Sequence, residues 1–452
     1  MTPPDSASVM WFRRDLRLED NPALLEACGA SEGVLPLFVV DPRLWGPAGE
    51  PRRAYLTRSL AALDASLGGR LVVRHGDPAR EVVRAARGVG AGSVHVAADF
   101  GPYGSRRDEA VARALADHDI ELRRLGSPYA VAPGRVVSGS GEGYKVFTPF
   151  ARAWADHGWR APAGSPPSGT RWLEAASDGL PEAPAPEGMT LPPAGEEAAR
   201  RRWREFLEVV GEYDEQRDRP DRDGTSRMSV HLKWGELHPR TMLADLGRLR
   251  SKGAASYRSE LAWREFYADV LHRRPETARE YLRAEFATME YDEPGEDLTA
   301  WAEGRTGFPV VDAGMRQLRA TGWMHNRVRM IVASFLVKDL HLEWQHGARH
   351  FMHWLVDGDL ASNQHGWQWV AGSGTDAAPY FRVFNPTSQG RKFDPDGAYV
   401  RRWVAELVDV EAAYIHEPST APGGLPEGYP PPLVDHAEER REALARLERM
   451  KS

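Results

Sequence analysis

A single cysteine, Cys28, stands in 452 residues. No disulfide can close within the chain, and no multi-cysteine metal site can be assembled. No run of about eighteen apolar residues occurs, so no membrane-spanning helix is expected. The opening residues, MTPPDSASVMWFRRDLR, lack a basic start followed by a long apolar stretch. A secretory leader is therefore not expected, and the expected location is cytoplasmic, at the nucleoid if DNA is bound. No GxGxxG follows the first strand-like run, which removes the dinucleotide fingerprint. A surplus of positive charge is missing too: 58 basic residues face 65 acidic ones, for a formal charge of -7. That balance speaks against a uniformly basic nucleic-acid binder and leaves room for a local basic groove.

What is abundant is tryptophan. There are 15, and those at 203, 234, 263, 301, 323, 344, 354, 367, 369 and 403 lie beyond residue 200. Indoles fill cores, and they are also the best stacking surfaces a protein has. The length predicts two domains, and a hydrophobic share of 42% predicts a sizeable core. In residues 7–130, the runs SVMWF, VLPLFVV, RLVVRHGD, SVHVAADF and IELRRLG alternate with helix-like segments. This rhythm predicts a doubly wound parallel α/β domain. Residues 131–200 read as a connector, and the Pro, Gly, Ala and Ser of 160–198 predict partial disorder there. Residues 201–452 read as all-helical; Val328, Ile331, Val332, Phe335 and Leu336 keep the spacing of a buried helical face.

Several segments of the helical half carry chemistry. DGTSRMS, 223–229, sets Thr225, Ser226 and Ser229 around Arg227, with Met228 between. It predicts either an Asp or Thr helix cap or a phosphate cradle at a helix start. In SELAWREFY, Glu260, Trp263, Arg264 and Tyr267 share one helical face. That face suits a stacked, hydrogen-bonded ligand, or simply a surface ion pair between Glu260 and Arg264. Asn326 and Met330 fall one turn apart beside Arg327 and Arg329, and Arg329 is placed to grip Asp357 bidentately. His346, His350 and His353 have helical spacing but no HExxH and no matching carboxylate, so packed or solvent-facing histidines are expected there rather than a metal. In DGDLASNQHGWQW, 357–369, Trp367 and Trp369 share a face if the chain is extended and point about 200° apart if it is helical.

Taken together, MWFRRDLRLEDNPAL, TSRMS, ELAWREFY, GRTGFPVVDAGMRQLRATGWMHNR, DGDLASNQHGWQW and SGTDAAPYFRVFNP run in order along almost the whole chain. They resemble the photolyase and cryptochrome family, and within it bacterial class I cyclobutane pyrimidine dimer photolyases. The resemblance implies one non-covalent FAD in the helical domain and an antenna chromophore in the α/β domain. Tyr213, Thr225, Ser226, Arg227, Met228 and Ser229 match positions that hold flavin phosphates and ribose. Asp357 and Asp359 match the isoalloxazine edge, Arg329 braces Asp357, and Asn363 matches the residue beside flavin N5. Glu260, Trp263, Arg264, Tyr267, Asn326, Arg327, Met330 and Trp369 match the pocket for the dimer. The implied partner is UV-damaged DNA, bound by a monomer with no obligate protein partner. A cross-linked dimer already stacks and pairs poorly, so extruding it costs less than extruding normal bases.

Two departures stand out. Trp367 and Trp344 match the proximal and middle members of the family's photoreduction relay, but the distal tryptophan falls on Tyr291, ten residues before Trp301. ADFGPYGSRRDEA lacks the Asn–Glu pair of folate-binding members, so 8-hydroxy-5-deazaflavin is expected ahead of methenyltetrahydrofolate. The alternative readings are a cryptochrome-type blue-light photoreceptor and a (6-4) photoproduct photolyase. Asn326 and Met330 stand where the latter resembles a site needing histidines, and HAEERREALARLERMKS is a short charged helix rather than a long signalling tail.

Overall fold

The structure is a computed structural model that describes residues 6–376 and 381–451. The AAPY part of SGTDAAPYFRVFNP, 377–380, lies outside the described residues. Five strands form one parallel sheet in the order β3-β2-β1-β4-β5: β1 (Ser8–Phe12), β2 (Val34–Val40), β3 (Val72–His75), β4 (Ser93–Val96) and β5 (Glu121–Arg124). Every residue of β1 and β2 is buried, because helices cover both faces. Alternation then splits the strands between two cores. Val9 and Trp11 pack on one face, and Met10 and Phe12 on the other.

The crossover helices α1 (Pro22–Ala30), α2 (Glu50–Ser66), α3 (Pro78–Gly88) and α4 (Pro102–Ala116) begin alike. Proline occupies the first turn of each, and the Asn21 and Asp77 side chains accept from Leu24 N and Ala79 N. Proline's missing donor is harmless where no intrahelical partner exists.

The connector is ordered, contrary to the expectation from its composition. It carries α5 (Phe147–His157), and at Trp172 it runs beside Val34, with Leu173 N donating to Val34 O at 2.8 Å. Most side chains of 160–198 stay exposed or half-buried, and backbone hydrogen bonds pin the strap: Asp178 N donates to Val73 O at 2.7 Å and Thr190 N to Ala320 O at 2.9 Å.

Beyond α6 (Glu196–Val209) the chain is helical. The site is framed by α7 (Ser229–Trp234), α8 (Lys252–Arg273), α9 (Asn326–Lys338), α10 (Trp344–Trp354) and α11 (Leu360–Ala371). The face of α9 predicted to be buried is buried, within a core that includes Trp301 and Trp344. The last helix, α12 (His436–Lys451), is docked: His436 meets Asp339 at 2.5 Å, and Ala443 and Leu447 are buried.

Buried charges join the two halves. Glu236, fully buried, accepts from Tyr55 Oη at 2.9 Å, Gly195 N at 2.7 Å and Ser59 Oγ, and meets His231 Nδ1 at 2.6 Å. Asp20 accepts from Arg240 at 2.7 Å. Among the described residues, no helix is long and apolar enough to cross a membrane.

Candidate active site

Helices α7, α8, α9 and α11 enclose a cavity of about 480 Å³. The residues matched by sequence to cofactor and substrate contacts all line it: Tyr213, Thr225, Ser226, Arg227, Met228, Ser229, Arg329, Asp357, Asp359 and Asn363, with Glu260, Trp263, Arg264, Tyr267, Asn326, Arg327, Met330 and Trp369. They come from segments up to about 150 positions apart, so the fold, not local sequence, brings them together. Trp367 also lines the cavity; Trp344 is wholly buried, and Tyr291 is packed against the same core.

TSRMS forms a tight loop into α7. Neither Asp nor Thr caps that helix: its N-cap is Met228, without a side-chain cap bond. Instead Ser226 Oγ accepts from Met228 N at 3.1 Å and lies 2.7 Å from Tyr257 Oη. Arg227 takes φ +55°, a left-handed conformation uncommon outside glycine, and its guanidinium sits 5.0 Å over the Trp323 ring. The loop thus turns its backbone and hydroxyls towards the cavity at a helix N-terminus, a geometry suited to phosphate.

Two acids dominate the far wall. Arg329 Nη2 donates to Asp357 Oδ2 at 2.8 Å, one bond rather than the expected bidentate grip, because its Nε donates to Met324 O instead; the buried Asp357 Oδ1 has no protein partner. Asp359 Oδ1 caps α11 by accepting from Ser362 N at 3.1 Å, and Oδ2 accepts from Arg14 at 2.7 Å. Burial opposes charge on Asp359, but Arg14, Lys233 and Arg264 outweigh it and hold the carboxyl below the usual range. Arg14 follows β1, so this acid is held by a residue of the other half of the chain. Asn363 Nδ2 donates to Ala348 O at 3.1 Å, bracing it against α10.

At the end matched by sequence to substrate contacts, Trp263 is stacked on Phe147 of α5 with ring centres 3.7 Å apart and planes 8° from parallel. Glu260 pairs with Arg217 at 2.8 Å, not with Arg264 as a surface pair would require. Burial pushes the Glu260 carboxyl up, and Arg217 opposes it. Arg264 donates to Pro128 O and Leu232 O and lies over Tyr129, fastening α8 to neighbouring backbone. Arg327 pairs with Asp218 at 2.7 Å. Because 360–371 is helical, the two indoles part: Trp367 turns into the core against Phe351 and Trp301, and Trp369 stays half-buried. His350 packs edge-on to Trp301 at 5.2 Å and His353 to Trp354 at 5.3 Å.

Arg217, Tyr257, Trp323 and Phe147 were not anticipated. Their partners lie far off in sequence; Trp323 falls inside GRTGFPVVDAGMRQLRATGWMHNR, but nothing in that segment marks it as the partner of Arg227.

The profile of the DNA photolyase domain matches residues 8–168, and that of the FAD binding domain of DNA photolyase matches 257–449. A deoxyribodipyrimidine photo-lyase of Streptomyces griseus is 43% identical over 98% of this chain and 99% of its own. The chain belongs to the DNA photolyase family. A solved bacterial class III photolyase from Agrobacterium tumefaciens superposes with a TM-score of 0.92 at 38% identity, covering 100% of this chain and 99% of that one. An archaeal photolyase from Sulfolobus tokodaii, solved with two FAD molecules, gives 0.83 at 30% identity over 98% of this chain and 100% of that one. The helical half of this photolyase is accordingly a FAD-binding domain. Its cavity fits that cofactor: hydroxyls and a helix start at one end, a partnerless buried carboxylate oxygen at the other.

Proposed function

We propose that this photolyase repairs cyclobutane pyrimidine dimers in DNA under blue light, as a cytoplasmic monomer with no obligate protein partner. The observation that carries the reading is the single cavity in which every matched cofactor residue meets every matched lesion residue. Bound in its reduced form, FAD supplies the light-driven electron that opens the cyclobutane ring.

The chain's own residues do the rest. Tyr213, Thr225, Ser226, Arg227, Met228 and Ser229 hold phosphates and ribose, and Asp357, Asp359, Arg329 and Asn363 fix the ring system. Trp263 and Trp369 stack on the extruded bases, which returns roughly 1 to 3 kcal/mol per base. Glu260 hydrogen-bonds the lesion and stabilises the charge that develops on it. Arg327 supplies salt-dependent attraction to the damaged strand, and Tyr267, Asn326 and Met330 shape the pocket wall. Trp367 and Trp344 form the inner steps of the route by which oxidised cofactor is re-reduced, and Tyr291 lies beyond them, packed against the same core at the position of the family's third member.

In the α/β domain the PYGSRRD segment opens α4, where the guanidinium of Arg107 lies 5.2 Å over Trp11. We assign an 8-hydroxy-5-deazaflavin antenna to this domain ahead of methenyltetrahydrofolate; the archaeal neighbour's second FAD supports a flavin-type chromophore, and the absorbance of released pigment decides.

Reduced enzyme, blue light and oligonucleotides bearing either lesion test the function. Loss of the cyclobutane dimer alone is expected; loss of only the (6-4) product, or of neither, overturns the reading.

A further inference from the structure

The relay does not pass from Trp344 to Tyr291 without company. Tyr281, 7% exposed, sets its ring edge-on to Trp344 with centroids 6.1 Å apart, and Tyr291 stacks on Tyr281 at 6.3 Å with planes 18° apart. The Tyr281 hydroxyl donates to Glu343 Oε1 at 3.0 Å. Glu343 is half-buried, immediately precedes Trp344 and opens to solvent. Trp367 is pressed on the same helix one turn along, since a Cβ at Gly347 would lie 2.0 Å from its Cη2. From the cavity wall to the surface the order is therefore Trp367, pressed on α10 at Gly347, then Trp344 of the same helix, the Tyr281 phenol edge-on to it, and the Glu343 carboxylate.

A buried phenol cannot give up an electron at neutral pH unless its proton leaves at the same time. Burial first, then Tyr291 and Glu343, raises the Tyr281 pKa, so its proton needs a nearby acceptor. We propose that Tyr281 is the terminal electron donor of the photoreduction relay and that Glu343 takes its proton. The inference rests on the flavin reading above.

The step balances as follows. Light-excited oxidised flavin is the oxidant and gains one electron by way of Trp367 and Trp344. Trp344 is restored when Tyr281 loses one electron, and the phenolic proton crosses the hydrogen bond to Glu343 Oε1. A neutral tyrosyl radical and a neutral carboxylic acid remain. A thiolate from solution gives one electron to the tyrosyl radical and becomes a thiyl radical, two of which couple to a disulfide; the proton comes back from Glu343, and both residues are as before. Tyr291 stacks behind the radical without being oxidised.

Transient absorption and spin resonance of the FAD-loaded full chain after a blue flash test this. Wild type is expected to show a neutral tyrosyl radical. Y281F is expected to lose that signal and to lower the yield of stable photoreduction by roughly tenfold or more, because no proton-coupled donor follows Trp344. E343Q keeps the ring contact and removes the acceptor, so the radical forms more slowly with an altered solvent deuterium isotope effect, and E343D restores part of the rate. Y291F keeps the signal. A tyrosyl signal surviving in Y281F, a wild-type radical confined to tryptophan, or a wild-type rate in E343Q overturns the proposal. Dimer repair by chemically prereduced wild-type enzyme is scored in parallel. Its failure counts against the flavin reading and leaves the tyrosine terminus to be judged on the radical alone.

Discussion

At Glu260 two influences are set against each other: burial favours the protonated acid and Arg217, 2.8 Å away, favours the carboxylate. Two expectations follow at this one side chain. Glu260→Ala lowers repair yield more than it lowers binding of dimer-containing DNA, measured by flash-yield and titration on the same oligonucleotide; equal losses assign Glu260 to binding alone. Arg217→Gln removes the influence that opposes burial and favours the carboxylate, so the Glu260 inflection in the repair pH profile moves to higher pH. An inflection that stays put belongs to another group. Residue-scale contacts of this kind were the least legible in the sequence. The spacing placed Glu260 on a helical face with Trp263, and that face lines the cavity. It did not reveal Arg217, 43 positions earlier, or Phe147, 116 positions earlier, because a contact across the fold leaves no period in the chain.

Elements were far easier to read. SVMWF after Ser8, and VLPLFVV throughout, are continuous apolar runs, and only a strand covered on both faces needs that. The buried stripe of α9 announced itself by 3.6-residue spacing. The connector misled, since proline and glycine signal turns but say nothing about what a strap packs on. Helix contact also explains a glycine that composition cannot. Gly347 lets α10 and α11 close on each other, for a methyl there would meet Trp367 Cη2 at 2.0 Å and Leu336 Cδ2 at 2.6 Å. Gly347→Ala is expected to cost about 1 to 3 kcal/mol through overpacking. Urea unfolding checks the cost, and altered tryptophan fluorescence shows that the indole has moved.

For the whole molecule, pH is the sharpest probe. His325, His350 and His365 are each pushed down to about 4, mainly by burial. The unfolded chain takes up these protons near pH 6.5, while the folded one refuses them until about 4. Stability from these groups is therefore intact above pH 6.5 and drains away as pH falls towards 4, by roughly 2 to 3 kcal/mol per histidine at the limit. Denaturant midpoints flat across pH 4 to 6.5 would contradict this. The halves are joined as tightly as they are packed, through Glu236, Asp20 and the Arg14–Asp359 pair. The face-to-face stack of Phe147 on Trp263 has a practical result for anyone dissecting the protein. A helical fragment started at residue 201 would keep every residue proposed here to touch flavin, but it would lose Arg14's hold on Asp359 and leave one flank of Trp263 bare. Any fragment meant to grip damaged DNA has to begin upstream of residue 147.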